Sequence, residues 1–185
     1  KLLGIRSERQ LGFLLVASDV GDPAPYTCFE IPKRDGKPRR IAAPGPQLKH
    51  VQRKILEQIL YKIPVSAAAH GFVPGRSTVT HAACHSGRDL IVGFDLKDFF
   101  PSIHSSRVLG LFGSLGYRVG DARFSKRDDE RAVAPVLARL CSYTDSPEDW
   151  GDGYTPQGAP TSPAISNLIC RRLDGRLEGL AKTMN

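Results

Sequence analysis

Apolar residues recur at helical spacing from Gln47 to Ile63, where Leu48, Val51, Ile55, Ile59, Leu60 and Ile63 fall on one face. The opposite face carries Lys49, Arg53, Lys54 and Lys62, which suits either a solvated surface or contact with a polyanion. Ser7 and Gln10 have capping-box spacing ahead of LGFLLVAS, predicting a short helix over about 7–18. Tyr26 to Pro32 reads as a strand, and Asp35-Gly36 is a hairpin turn returning through RRIAA. GFVPGRST is a loop feeding a helix capped by Ser77 or Thr78, and RDLIVGFDL predicts a central strand. A further helix starts at Ser105 or Ser106 and runs to about Leu115. The charged stretch 118–131 has no clear period and reads as a surface excursion, with Asp128 and Asp129 at the start of a helix reaching Ser142. SPEDWGDG is a loop, and a long helix spans Ser162 to about Thr183, loosened by Gly175 and Gly179. Helices and strands mix without βαβ regularity, which predicts an α+β fold.

Two blocks carry candidate chemistry. In VGFDLKDFFPSI (92–103), Asp95 emerges from an apolar strand and is followed by Phe99 and Phe100. An acid at the end of a buried strand must pair, cap or bind a cation, so Asp95 is a candidate metal ligand or a cap of the next turn. In TPQGAPTSPAISN, Pro156, Gly158, Pro160 and Pro163 set a rigid turn before a helix. Together the blocks point to a nucleotide polymerase.

Composition narrows this further. The chain has 185 residues and a net charge of +7, a balance that suits a polyanionic partner. Its longest apolar run, Leu11 to Ala17, is too short to span a bilayer, so the expectation is a cytoplasmic protein with no membrane partner. Cys28, Cys84, Cys141 and Cys170 lack CxxC spacing, arguing against a zinc ribbon or a disulfide framework. His81, Cys84 and His85 share one helical face, and a metal held there would need a fourth ligand such as His70.

The chain resembles the reverse transcriptases of bacterial retrons and, more distantly, those of group II introns. FEIPKRDGKPRRIAAP (29–44) and AHGFVPGRSTVTHAACH (69–85) resemble the two fingers blocks of that family. VGFDLKDFFPSI resembles the palm block with the first catalytic Asp, and YTPQGAPTSPAISN the block beneath the incoming nucleotide. HAACH matches the retron Asn-Ala-x-x-His signature with His81 in the Asn place; a group II intron-like or defence-associated enzyme is the runner-up.

The resemblance implies right-hand polymerase fingers over 1–89 and the first part of a palm over 90–185, with 118–153 as an excursion. It implies RNA-directed DNA synthesis on template RNA with a primer, a structured noncoding RNA and its RNA–DNA hybrid, and dNTPs. Mg2+ would be the cofactor, with Mn2+ as a substitute, held by Asp95 and the carbonyl of Leu96. Lys33, Arg39 and Arg40 would meet the triphosphate, together with the backbone of Asp98 and Phe99, while the Asp98 side chain caps the following turn. Phe100 would lie under the sugar, Gln157 and Gly158 would position the nucleotide, and Arg76, His85, Ser162 and Pro163 would face template and primer. The family's Tyr-x-Asp-Asp hairpin and thumb do not occur in these 185 residues. Alone, the chain is therefore expected to be inactive: a non-catalytic nucleic-acid-binding module, or one part of a split enzyme completed by the remaining polymerase fragment, with an effector protein as a further partner.

Overall fold

The computed structural model describes residues 3–15, 25–33, 36–120, 132–145 and 150–183. Helix α1 (Glu8–Leu15) opens at the predicted cap, where Ser7 Oγ accepts from Gln10 N at 3.1 Å. Gln10 Oε1 reaches back to Arg6 N rather than to Ser7 N. Strands β1 (Tyr26–Pro32) and β2 (Pro38–Pro44) form an antiparallel hairpin, with Tyr26 opposite Pro44 and Pro32 opposite Pro38. Gly36 takes φ +78°, the left-handed geometry the turn demands; Arg34 and Asp35 lie outside the described residues.

Helix α2 (Pro46–Gln58) follows Gly45 with a proline in its first turn and tightens into a 3-10 turn at Leu60–Lys62. Leu48, Val51, Gln52 and Ile55 are its buried residues, so the predicted apolar face is the buried one. Gln52 is the exception in kind. Its Nε2 donates to the Tyr26 hydroxyl and to the Leu140 carbonyl, both at 2.8 Å, tying α2 to β1 and to the end of the helix Val133–Cys141.

Helix α3 (Thr78–Ala83) has the expected cap at Ser77, whose hydroxyl and backbone exchange bonds with Thr80. None of its residues is buried. Helix α4 (Ser105–Ser114) packs on α5 (Val133–Cys141), and the start of α6 (Ser162–Thr183) closes the same core. Phe112, Val108, Leu137, Leu140, Ile165 and Ile103 sit at its centre. Burial pushes the Cys141 thiol up to about 12, consistent with a reduced core cysteine. Asp128, Asp129 and most of the expected excursion lie outside the described residues.

The fold is thus α+β, with a single two-stranded sheet among the described residues. The predicted central strand over 88–96 is not formed. Leu90, Ile91, Val92, Phe94 and Leu96 are all exposed, and no described segment pairs with them. A strand needs a neighbour to take its backbone hydrogen bonds, and an apolar pattern cannot supply one. No helix among the described residues is long and apolar enough to cross a membrane.

Candidate nucleotide-binding site

The two sequence blocks meet. Thr155 N donates to Ile103 O at 2.9 Å and Ser105 N to Gly153 O at 2.7 Å, so the end of the Asp95 block runs antiparallel to the start of the proline-rich block. On its other side Tyr154 exchanges two 2.8 Å backbone bonds with Tyr143. The rigid turn then docks on the free edge of β2, where Ala42 N donates to Gln157 O at 2.8 Å. Gly158 makes this approach possible. Its φ is +120°, and a Cβ there would lie 2.8 Å from the Ala42 carbonyl oxygen. Ser162 Oγ donates to Pro156 O at 2.6 Å, so this buried hydroxyl closes the turn from within and faces away from solvent.

The basic hairpin presents two different arginines. Strand alternation places Arg39 and Arg40 on opposite faces. Arg40 forms a two-pronged ion pair with Asp145 and lies over the Tyr143 ring, 5.8 Å from its centroid. Tyr143 donates to the same carboxylate at 2.9 Å and accepts from Cys28 Sγ at 3.2 Å. Partial burial works to raise the Asp145 pKa, but the bonds from Arg40 and Tyr143 outweigh it and hold the carboxyl below the usual range. Burial, then the bonds to Cys28 and Asp145, push the Tyr143 hydroxyl up. Arg39 is exposed and makes no hydrogen bond or ion pair among the described residues. Only Arg39 of the pair is free to meet a ligand. Lys33 sits at the hairpin tip, its backbone N donating to Lys37 O at 2.8 Å.

Asp95 is exposed, not buried at a strand end as the pattern suggested, and its carboxylate has no partner among the described residues. Leu96 beside it is also exposed. Asp98 adopts φ +47°, a left-handed conformation rare for a side chain other than glycine. Its carbonyl accepts from Ser102 N at 2.9 Å, while Ser102 Oγ bonds Phe99 O at 2.7 Å. The turn is therefore closed by backbone and serine, and the expected cap from the Asp98 side chain is not made; the left-handed backbone at Asp98 departs from the extended geometry that a capping residue takes. Phe99 packs against the core; Phe100 is half-buried, outside that cluster, with its ring centroid 5.7 Å from Phe99's.

On the opposite flank, Arg76 Nη1 donates to the carbonyls of Ser66 (2.8 Å), Ala67 (3.0 Å) and Ala69, so its guanidinium shapes its own loop. Asn167 Nδ2 ties that loop to α6 through Gly71 O at 2.9 Å. Pro163 lines an apolar hollow there with Phe72, Pro74 and Tyr61. His85 is exposed and faces His81. No group of three His, Cys, Asp or Glu side chains among the described residues is placed to share one metal ion, so the four-ligand arrangement with His70 is not formed.

Sequence reading missed the Arg40–Asp145–Tyr143 knot, whose partners lie 105 and 103 residues apart and leave no local signal. It also missed a cleft of about 470 Å³ beside the Asp95 segment, lined by Lys97, Arg107, Arg172 and Arg176. The i, i+4 spacing of Arg172 and Arg176 was a visible hint.

No family model matches the chain. Among curated proteins it is similar to the retron Mx162 reverse transcriptase of Myxococcus xanthus, 40% identical over 187 residues that cover 100% of this chain and 37% of that protein. The retron Mx65 reverse transcriptase of the same organism is 43% identical over 85% of this chain and 36% of its own length. The retron Ec86 reverse transcriptase of Escherichia coli is 35% identical over 84% of this chain and 43% of its own length. The chain spans roughly two fifths of the length of these relatives. The resemblance read from four motif blocks is thus borne out along most of the sequence, and the chain is homologous to a segment of the retron reverse transcriptases.

Proposed function

We propose that this chain is the fingers (1–89) and the first part of the palm (90–185) of an RNA-directed DNA polymerase of retron type. The observation that carries the reading is the docking of the Gln157-Gly158 turn on β2, which holds a nucleotide-positioning amide beside a hairpin with a free Arg39. Homology to proteins named as reverse transcriptases supports it independently.

In this reading Lys33 and Arg39 grip the triphosphate, and Arg40, already committed to Asp145, anchors the hairpin at the right height. The left-handed turn at Asp98 lifts the 98–99 backbone toward the phosphates. Phe100, outside the core, lies under the sugar and excludes a 2′ hydroxyl, while Phe99 braces it from the core side. Pro163 and the loop shaped by Arg76 border the template, with the closed turn at Ser162 behind them and His85 at the fingers edge. The cationic cleft adds Lys97, Arg107, Arg172 and Arg176 to the surfaces suited to nucleic acid.

The donor set at Asp95 and Leu96 fits magnesium: a carboxylate unpartnered among the described residues and the backbone carbonyl of an exposed residue, both hard oxygens. When bound, such ions activate the primer hydroxyl and stabilise the leaving pyrophosphate. Asp95 would supply the charge that holds them. Partners are template RNA, primer and dNTPs.

The test uses the full-length protein carrying this segment, with an RNA template, a primer and dNTPs. Asp95→Asn lowers incorporation by well over tenfold, a barrier increase above about 1.4 kcal/mol, while RNA binding persists. A variant retaining more than about a tenth of wild-type rate sinks the metal-ligand assignment. Phe100→Val raises NTP incorporation relative to dNTP, whereas Phe99→Ala lowers stability and leaves sugar preference unchanged. Nucleic-acid binding without any incorporation by the wild type would instead select the non-catalytic reading.

A further inference from the structure

His81 on α3 and His85 in the turn that follows it form a pair whose mutual geometry the polymerase reading, which uses only His85 at the fingers edge, leaves unexplained. The two Nε2 atoms face each other across 3.3 Å, with the rings edge to face at a centroid distance of 4.9 Å. That separation is long for a hydrogen bond between ring nitrogens. It is well matched to a shared metal ion: two nitrogens each about 2.05 Å from zinc and 3.3 Å apart subtend about 107°, close to the tetrahedral angle. Both rings are exposed, so an ion can reach them. Among the described residues neither ring is bonded to a carboxylate or a backbone carbonyl, so the Nδ1–H tautomer is open to both rings and would free both Nε2 atoms for an ion.

The surroundings favour an ion here. Helix α3 has six residues, none of them buried, so among the described residues little packing supports it beyond its cap at Ser77 and the His70 ring. A helix this short is marginal on its own. A chelate joining i and i+4 would close the turn that follows the capped one. The next donors stand close by: the His70 ring lies 5.3 Å from that of His81, and His70 Nε2 is 3.8 Å from Cys84 Sγ. These two do not converge with the histidine pair on one point, so the built site has two protein ligands, with the other positions left to water.

We propose that His81 and His85 form a two-histidine site for a borderline divalent transition ion, zinc above all, which clips the exposed helix α3 into shape. Imidazole selects zinc, copper or nickel over the hard magnesium ion expected at Asp95, so the two sites do not compete for one metal.

The experiment is calorimetric titration of ZnCl2 into the full-length protein, free of any histidine tag, in a large excess of Mg2+. It is run on wild type, His81→Gln, His85→Gln, the double variant and Cys84→Ser, with circular dichroism confirming that each is folded. The expected result is one zinc equivalent in the wild type that is missing from the double variant, and that is weakened at least about tenfold in each single histidine variant. Cys84→Ser should keep that equivalent within about threefold of wild type. Equal zinc binding by the wild type and the double variant overturns the proposal. So does displacement of the zinc by magnesium, or loss of binding in Cys84→Ser with the histidine variants unaffected.

Discussion

Two parts of this molecule have similar apolar content and opposite fates. In the first, α2, α4, α5 and the start of α6 enclose Phe112, Ile55, Leu137 and Ile165, all essentially inaccessible to water. In the second, residues 78–98 and the later turns of α6 hold Val79, Leu90, Ile91, Val92, Phe94, Leu173, Leu177 and Leu180 in the open. Phe112 is 0% exposed and Phe94 is 82% exposed, although both stand in runs that read as buried from sequence. The difference is one of partners. A helix satisfies its own backbone and needs only a face to pack, so α2 and α5 find each other within this chain. A strand is a relation between two segments, and 88–96 meets no second segment among the described residues.

That contrast can be tested most strongly by paired truncation. Phe112→Ala should cost about 3–5 kcal/mol in urea denaturation, whereas Phe94→Ala should stay within about 0.5 kcal/mol. A Phe94 effect as large as that of Phe112 would show that the exposed segment is packed in solution, and the comparison would fail.

A smaller effect is expected where the packed half joins the hairpin. Gly158→Ala puts a methyl group against the Ala42 carbonyl at a backbone angle of +120°, and should destabilise by about 1–3 kcal/mol. Amide exchange at Ala42, whose N–H is held by Gln157, should speed up in the same variant. Unchanged protection there would mean that the turn and β2 do not depend on each other.

The smallest effect belongs to the Arg40–Asp145 pair, whose side chains are each about half exposed. Asp145→Asn should cost below about 1 kcal/mol at neutral pH. The folded carboxyl titrates below its ordinary value, so its contribution is complete above about pH 4 and is lost as pH falls through the folded value. The stability gap between wild type and Asp145→Asn should therefore be flat at neutral pH and close in acid. A gap that widens in acid would reverse the sign of the assignment.

The same logic of partners explains what could be read in advance. The helices at 46–58, 105–114 and 162–183 were legible because their apolar period and their flanking Gly, Pro and Ser residues are local signals. The hairpin was legible because Asp35-Gly36 sits between two strand-like runs. Asp95, Gln157 and Gly158 stood out through their motif blocks, and the structure joins those blocks at Ile103 and Thr155. The pairing of Arg40 with Asp145 was not legible, because a contact spanning 105 residues is decided by packing that no window contains. The left-handed backbone at Asp98 escaped for a different reason: aspartate adopts it only when the surrounding turn forces it to.

Arg76 gives its loop an unusual independence. One guanidinium nitrogen gathers the carbonyls of Ser66, Ala67 and Ala69, as a bound cation would, but this cation is covalently attached and cannot dissociate. The stretch from Ser66 to Arg76 is therefore held in shape by the folded chain itself, without any ligand. Ordering entropy that a floppy loop would lose on encounter has already been spent, so if this loop borders the template, as proposed above, association there should resemble the docking of a rigid body. Salt, which weakens phosphate contacts, should leave the curvature of that loop untouched, since its internal charge faces carbonyl dipoles and not a mobile counterion.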